Sequence, residues 1–182
     1  QQKLSKMQVD VDEGTYIEPS KQTLGEWLDM WLETYVIGSV KPYTEDSYRT
    51  VCENHIKPLL GNIKLAALSA PQIQQLYNKL VREKGLSAKT VKNVHGVLHR
   101  ALNKAVQIGG IRHNPADACE LPKVSLKELV PLEEPQITAF LKAIRGHKYE
   151  HIYQVTLFTG LRQGEVLGLT WDCVDFEHNM LY

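Results

Sequence analysis

Apolar residues recur at helical spacing four times between residues 22 and 110, and each recurrence is bracketed by residues that start or stop helices. Leu24, Trp27, Leu28, Trp31, Leu32 and Tyr35 form the first stripe. Thr23 precedes it with Glu26 three residues on, so hydroxyl and carboxylate can serve the backbone N–H groups of the first turn. This spacing predicts an amphipathic helix of about four turns with its aromatic stripe in a core. Gly38 and Pro42 interrupt it, and a second helix is expected from about Thr44 to Leu59, with Tyr48, Cys52, Ile56 and Leu59 inward and Gly61 as its stop. Ser69 and Gln72 repeat the capping pattern, with Pro71 in the first turn, where a missing N–H is harmless. Ile73, Leu76, Tyr77 and Leu80 then face inward on a third helix ending at Gly85. Ser87 caps a fourth, which runs to about Ile108 and closes at Gly109-Gly110. Four amphipathic helices with short connections predict one compact helical domain over residues 22–110.

Outside those stripes the pattern changes. Residues 1–21 are polar and read as a tether, with Val9 and Val11 as at most a stray strand. Residues 111–130 hold Asn114-Pro115 and Pro122, lack periodicity and read as an extended linker. From 131 to 182 a further helix is expected near Glu133, with Ile137, Phe140, Leu141 and Ile144 inward. Another runs from Tyr149 to Phe158 and stops at Thr159-Gly160, and a short one spans Gln163 to Leu169. Val174 and Phe176, a turn at Asn179, and Met180-Leu181-Tyr182 suggest a hairpin just opening, its last strand with nothing in the chain to pair with. The fold class is therefore mainly α.

Net charge changes the picture only when it is read locally. The 182 residues carry 21 Lys and Arg against 21 Asp and Glu, a formal charge of zero. Residues 40–125 hold thirteen of the cations and six of the acids, a local +7 between ends of −4 and −3. No acid lies between Glu83 and Asp117, whereas Lys84, Lys89, Lys92, Arg100, Lys104 and Arg112 all do. Such asymmetry favours a polyanionic partner, with a solvated basic face as the bland alternative. Cys52, Cys119 and Cys173 form no CxxC pair, which argues against a disulfide-stapled secreted fold and for a cytoplasmic one. No stretch reads as a signal peptide or membrane span. His147 and His151 find no third ligand nearby and read as a surface pair, so no metal is expected. Without GxGxxG or a Walker motif, no nucleotide cofactor is expected either.

On a helical wheel the fourth helix has two characters. Val91, Val94, Leu98, Ala101, Leu102 and Ala105 make a buried stripe. Lys89, Lys92, Asn93, Gly96, Arg100, Asn103 and Gln107 lie opposite, flanked by His99 and Lys104. Long cationic donors alternating with amides suit phosphates and base edges in a major groove. Gly96 in mid-helix costs about 1 kcal/mol against Ala, a cost that close approach of another helix or of a DNA backbone would explain.

The run from Thr159 to Trp171, T-G-L-R-Q-G-E-V-L-G-L-T-W, is the most informative segment. Arg162 follows a helix end and opens the next helix, with Glu165 three residues on to orient its guanidinium. A phosphodiester in transfer gathers charge on its non-bridging oxygens, and a planar fork of donors matches them bidentately. Spacing alone leaves an ordinary local ion pair equally open.

Two segments together resemble the tyrosine recombinase (phage integrase) family, most closely the integrases of conjugative transposons. The first is T-L-G-E-W-L-D-M-W-L, Thr23 to Leu32, with the later S-A-K-T-V-K-N, Ser87 to Asn93. The second is T-G-L-R-Q-G-E-V-L-G-L-T-W-D-C-V-D-F, Thr159 to Phe176. The resemblance covers residues 20–182. It implies a four-helix SAM-like core-binding domain over 22–110, a linker, and the N-terminal helical part of an α+β catalytic domain over 131–182. Arg162 would hold the scissile phosphate, supported by Glu165. Arg49, Lys84, Ser87, Thr90, Arg112 and Lys123 join Lys89, Lys92, Asn93, Gly96, Arg100 and Lys104 as expected contacts to double-stranded DNA.

Such enzymes cut through a 3′-phosphotyrosyl intermediate without metal or nucleotide cofactor, as dimers on one site and tetramers in synapsis. The sequence departs from the family in having no His-x-x-Arg segment, and Tyr182 does not match the nucleophile. The expectation is a piece of a recombinase that binds DNA without cutting it. A non-catalytic DNA-binding regulator, a phage or chromosomal relative, and a purely structural helical adaptor are the rivals.

Overall fold

The computed structural model describes residues 21–124 and 130–182, so the tether expected at the N-terminus lies almost wholly outside the described residues. The chain divides into two compact units, residues 1–125 and 126–182.

In the first unit α1 spans Leu24–Trp31 and continues as a π-helical turn over Leu32–Val36. Its start is held from two sides. Thr23 Oγ1 accepts from the Glu26 N–H at 3.2 Å, and Glu26 Oε2 accepts from the Thr23 N–H at 2.8 Å. The N–H groups of Leu24 and Gly25 donate to the carbonyls of Ile63 and Gly61 at 2.8 and 2.9 Å. A Cβ on Gly25 would stand 3.2 Å from that Gly61 oxygen, so the close approach favours glycine. The donors that α1 would otherwise leave unsatisfied are thus paired within the domain.

Next, α2 spans Pro42–Val51, a π-helical turn covers Cys52–Ile56, and α3 spans Lys57–Leu60. Here one inward assignment needs correction: Leu59 is 38% exposed and Leu60 is buried. Plain α spacing carries the inward phase from Cys52 and Ile56 to 59. The π turn adds a residue to its loop, so the phase arrives one position later. Then α4 spans Ala70–Arg82 and α5 spans Ala88–Gln107, with Gly85 between them in the left-handed region at φ +62°. Trp27, Leu28, Ile73, Leu76, Tyr77, Leu98 and Leu102 fill one common core. Trp27 also donates from Nε1 to the Ala101 carbonyl at 3.1 Å, tying α1 to α5.

Residues 111–121 belong to this domain and are not an extended linker. Ile111 and Ala116 are buried, and Pro115–Ala118 forms a 3-10 turn. Asn114 Oδ1 caps that turn, accepting from the Ala116 N–H at 2.9 Å, while its Nδ2 donates to the His99 carbonyl and to Asn103 Oδ1. Gln74 and the Glu120 backbone exchange two hydrogen bonds, at 3.1 and 2.8 Å. Asn-Pro, read as a breaker, is a cap followed by a first-turn proline. Side chains hold this segment to α4 and α5, so it needs no apolar periodicity.

Two histidines of this domain carry a pH dependence. Burial, and then His99, hold the His95 imidazole below its ordinary 6.5, against a smaller opposing pull from Asp117. Its Nδ1 lies 2.9 Å from the Tyr77 hydroxyl. Burial and Lys84 lower His55 in the same direction. Below pH 6.5 the unfolded chain therefore binds more protons than the folded one, and stability present above that pH is lost as the pH falls. The urea midpoint is expected to drop from pH 7 to pH 5, and to drop less in His95→Gln. A drop of the same size in both proteins would remove His95 from the account.

In the second unit α6 spans Glu134–Ala143, α7 spans Glu150–Thr159 and α8 spans Gln163–Leu167. Of the four inward residues expected on the first of these, Ile144 is buried and Ile137, Phe140 and Leu141 are half-buried. The end of the chain is paired, contrary to expectation. Strands β1, Val174–Asp175, and β2, Met180–Leu181, run antiparallel with Val174 opposite Leu181. Tyr182 adds an N–H donated to the Cys173 carbonyl at 3.0 Å. Asp175 Oδ1 accepts from the N–H groups of Glu177 and His178, both at 2.9 Å, and Asn179 takes φ +54°. This side-chain turn folds the strand back on its immediate predecessor, which the bare alternation of residues did not reveal.

Candidate nucleic-acid interface

Helix α5 presents its two faces as the wheel requires. Ser87 Oγ accepts from the Thr90 N–H at 3.1 Å and lies 2.8 Å from the Thr90 hydroxyl, so both side chains serve the cap. Val91, Val94, Val97, Leu98, Ala101, Leu102 and Ala105 are buried. Lys89, Lys92, Asn93, Gly96 and Arg100 are exposed on the other side, and Lys104 is half-buried. Asn103, expected among the outward amides, is half-buried and accepts from Asn114 instead. Lys84 donates to the Asn54 carbonyl at 3.0 Å, which makes it a tie within the domain. Arg49 on α2, and Arg112 and Lys123 beyond α5, are exposed.

A groove of about 610 Å³ runs between the end of α1 with the turn that follows it, Tyr48 of α2, and the outer face of α5. Tyr35 and Tyr48, read from the sequence as core, are half-buried on its wall. Tyr48 stacks on Trp31 with centroids 5.8 Å apart and planes 15° apart. Arg100 places its guanidinium carbon 5.5 Å from the Tyr48 centroid and donates from Nη1 to the Tyr48 hydroxyl. Lys104 sets its ammonium 4.5 Å from the Tyr35 centroid. Sequence reading missed this aromatic support, because the partners lie 52 and 69 positions apart and only the packing of α2 and α1 on α5 joins them.

Gly96 opens onto the same groove, and a Cβ built there meets nothing within 4 Å. No other helix of the domain therefore requires it. Gly96→Ala is expected to raise stability by about 0.5–1 kcal/mol in urea denaturation, through helix propensity alone. A loss of stability would mean that the position is packed after all.

The second unit builds its arginine locally. Gly160, at φ +69°, ends α7, and Arg162 becomes the N-cap of α8 in extended backbone. Glu165 then bonds Arg162 twice. Its Oε2 accepts from the Arg162 N–H at 2.7 Å, and its Oε1 from Nη1 at 3.1 Å. These two contacts, the backbone one first, hold the Glu165 carboxyl below the usual carboxylate range. The Arg162 side chain is 88% exposed, so a guanidinium steered by its own helix faces solvent as a ready bidentate donor. His151 lies in α7, whereas His147 precedes it and accepts from the Tyr149 N–H at 3.2 Å. Among the described residues no cluster of His, Cys, Asp or Glu is suited to a metal, and no helix is long and apolar enough to cross a membrane.

Comparison with known proteins finds a match over residues 23–81 to the family described as "Phage integrase, N-terminal SAM-like domain". A tyrosine recombinase XerC-like protein of Caldanaerobacter subterraneus is 33% identical over 92% of this chain and 44% of its own length. The chain thus spans about half the length of the curated relatives it matches, or less. Among solved structures, the Tn1549 transposon integrase in complex with circular intermediate DNA aligns over 86% of this chain and 52% of its own, at 28% identity and TM-score 0.73. An isolated phage integrase SAM-like domain from Moorella thermoacetica, solved in solution, is 38% identical over 63% of this chain and 97% of its own, at TM-score 0.51.

Proposed function

Because the chain belongs to the tyrosine recombinase (phage integrase) family, we propose that it is the DNA-gripping part of a site-specific recombinase that integrates and excises a mobile element. The observation that carries this reading is the exposed row Lys89, Lys92, Arg100 on one face of α5, backed by a complete core on the other. That row neutralises the phosphates of a duplex core site, while Asn93 and Gln107 reach toward base edges. Arg162 binds the non-bridging oxygens of the scissile phosphate, and Glu165 aims it. In the full recombination reaction a tyrosine oxygen bonds to phosphorus as the 5′-oxygen leaves, and the phosphotyrosyl bond conserves the energy needed for religation. Residues 1–182 contain no His-x-x-Arg segment, so on their own they bind DNA and do not cut it. The three free cysteines fit a reducing cytoplasm, and assembly is as dimers on one site and tetramers in synapsis.

Two measurements test the reading. The chain is expected to bind core-site duplex with an affinity that falls linearly, log against log, as salt rises. Absence of binding at low salt overturns the DNA reading. In a full-length recombinase containing these residues, Arg162→Lys is expected to lower covalent-complex formation on a nicked duplex about a hundredfold, with duplex affinity retained. Normal accumulation of that complex would refute the role given to Arg162.

A further inference from the structure

The groove beside α5 holds its cations in a way that a plain solvated face does not. Exposed arginine normally samples many rotamers, and binding a phosphate must freeze them at an entropic cost. Here Arg100 rests on Tyr48 by ring contact and by a hydrogen bond to its hydroxyl, and Tyr48 rests in turn on Trp31, which is 2% exposed. The stack runs from the domain core outward to the charge: buried indole, half-buried phenol, exposed guanidinium. Lys104 repeats the device on Tyr35, one helical turn further along.

The sequence supports each stack by a different route. Trp31 is anchored by α1, Tyr48 by α2, and the two cations by α5, so three elements converge on one charged edge. An arginine in an ion pair would have part of its charge cancelled before DNA arrived. An aromatic shelf restrains the guanidinium while leaving its full charge for a phosphate.

We propose that Tyr48 and Tyr35 are positioning residues that preset Arg100 and Lys104 as phosphate clamps for the backbone of duplex DNA along this groove. The inference rests on the DNA-binding reading given above and adds to it which groups set the geometry of the contact. Tyr48 touches no phosphate. It acts through Arg100, and its effect disappears when Arg100 is gone.

The experiment is a double-mutant cycle on the whole chain, with core-site duplex titrated at several salt concentrations. Tyr48→Leu keeps bulk but removes ring and hydroxyl, and is expected to weaken binding about five- to tenfold. The slope of affinity against salt stays unchanged, because the same phosphates are neutralised. Tyr48→Phe keeps the stack on Trp31 and the ring under the guanidinium, and is expected to lose about threefold. Arg100→Gln is expected to flatten the salt slope by about one. In the Arg100→Gln background, Tyr48→Leu is expected to change nothing further. Loss of the same size in both backgrounds overturns the proposal, since Tyr48 would then act through the shape of the domain. No loss on Tyr48→Leu in the parent chain also overturns it. Failure of the DNA reading itself looks different: the parent chain then shows no salt-dependent duplex binding, and no variant has an effect to partition.

Discussion

Trp27→Ala is expected to be severely destabilising to the helical domain, lowering its urea midpoint more than any other change proposed for it. The indole is 1% exposed at the centre of the core shared by α1, α4 and α5. Truncation of a buried tryptophan costs about 3–5 kcal/mol, from lost transfer energy and the cavity left behind. The Nε1–H bond to the Ala101 carbonyl disappears as well, and with it a direct tie between the first and last helices. A domain of this size has a total stability of about 5–15 kcal/mol, so the loss consumes at least about a fifth of it and in a marginal domain most of it. Urea denaturation followed by far-ultraviolet circular dichroism measures this directly, and a midpoint close to that of the parent would show the core to be misassigned. Trp171, 82% exposed, provides the contrast: Trp171→Ala is expected to change the unfolding free energy by no more than about 0.5 kcal/mol.

Charge reversal on α5 works on the other side of the same helix. Changing Lys89, Lys92 and Arg100 together to Glu is expected to reduce duplex affinity at least about a hundredfold at moderate salt. The slope of log affinity against log salt should also flatten by about three. The fold should survive. All three side chains are exposed, and Glu at positions 89 and 92 sits in the first turns of α5, where the helix dipole favours negative charge. Equal affinity of parent and variant at low and at high salt would leave the row as a solvated face and favour the structural adaptor. The outcome is separable from that of Trp27→Ala, because here binding is lost while the denaturation midpoint is kept.

The two faces of α5 were equally readable. Its buried stripe and basic face follow from periodicity alone, and both are where the pattern puts them. The capping pairs at Thr23 and Ser69 were equally legible, because each acts over three residues. Arg162 and Glu165 were legible as a pair for the same reason, and the resemblance of their segment to a recombinase motif supplied a role that spacing could not. Leu59 failed because a π turn is invisible to a 3.6-residue period. Residues 111–121 failed because their attachments are hydrogen bonds from Asn114 and Gln74 to partners up to 46 positions away. The hairpin and its turn at Asn179 were legible, but the pairing of its last strand was not, because the Asp175 side chain holds the turn that brings β2 back.

By itself, the sequence determined the helices of the first domain, their inward stripes, the basic centre of an electrically neutral chain and the arginine poised at a helix start. All of these are local or periodic properties, set by steps of three and four residues. Only the tertiary structure decided what the basic residues rest on. Tyr35 and Tyr48 look like core in their own helices and become supports for Lys104 and Arg100 only once α1 and α2 pack against α5. Cation–aromatic contacts fade beyond about 6 Å, so a partner dozens of positions away in the sequence acquires meaning only when the core has closed.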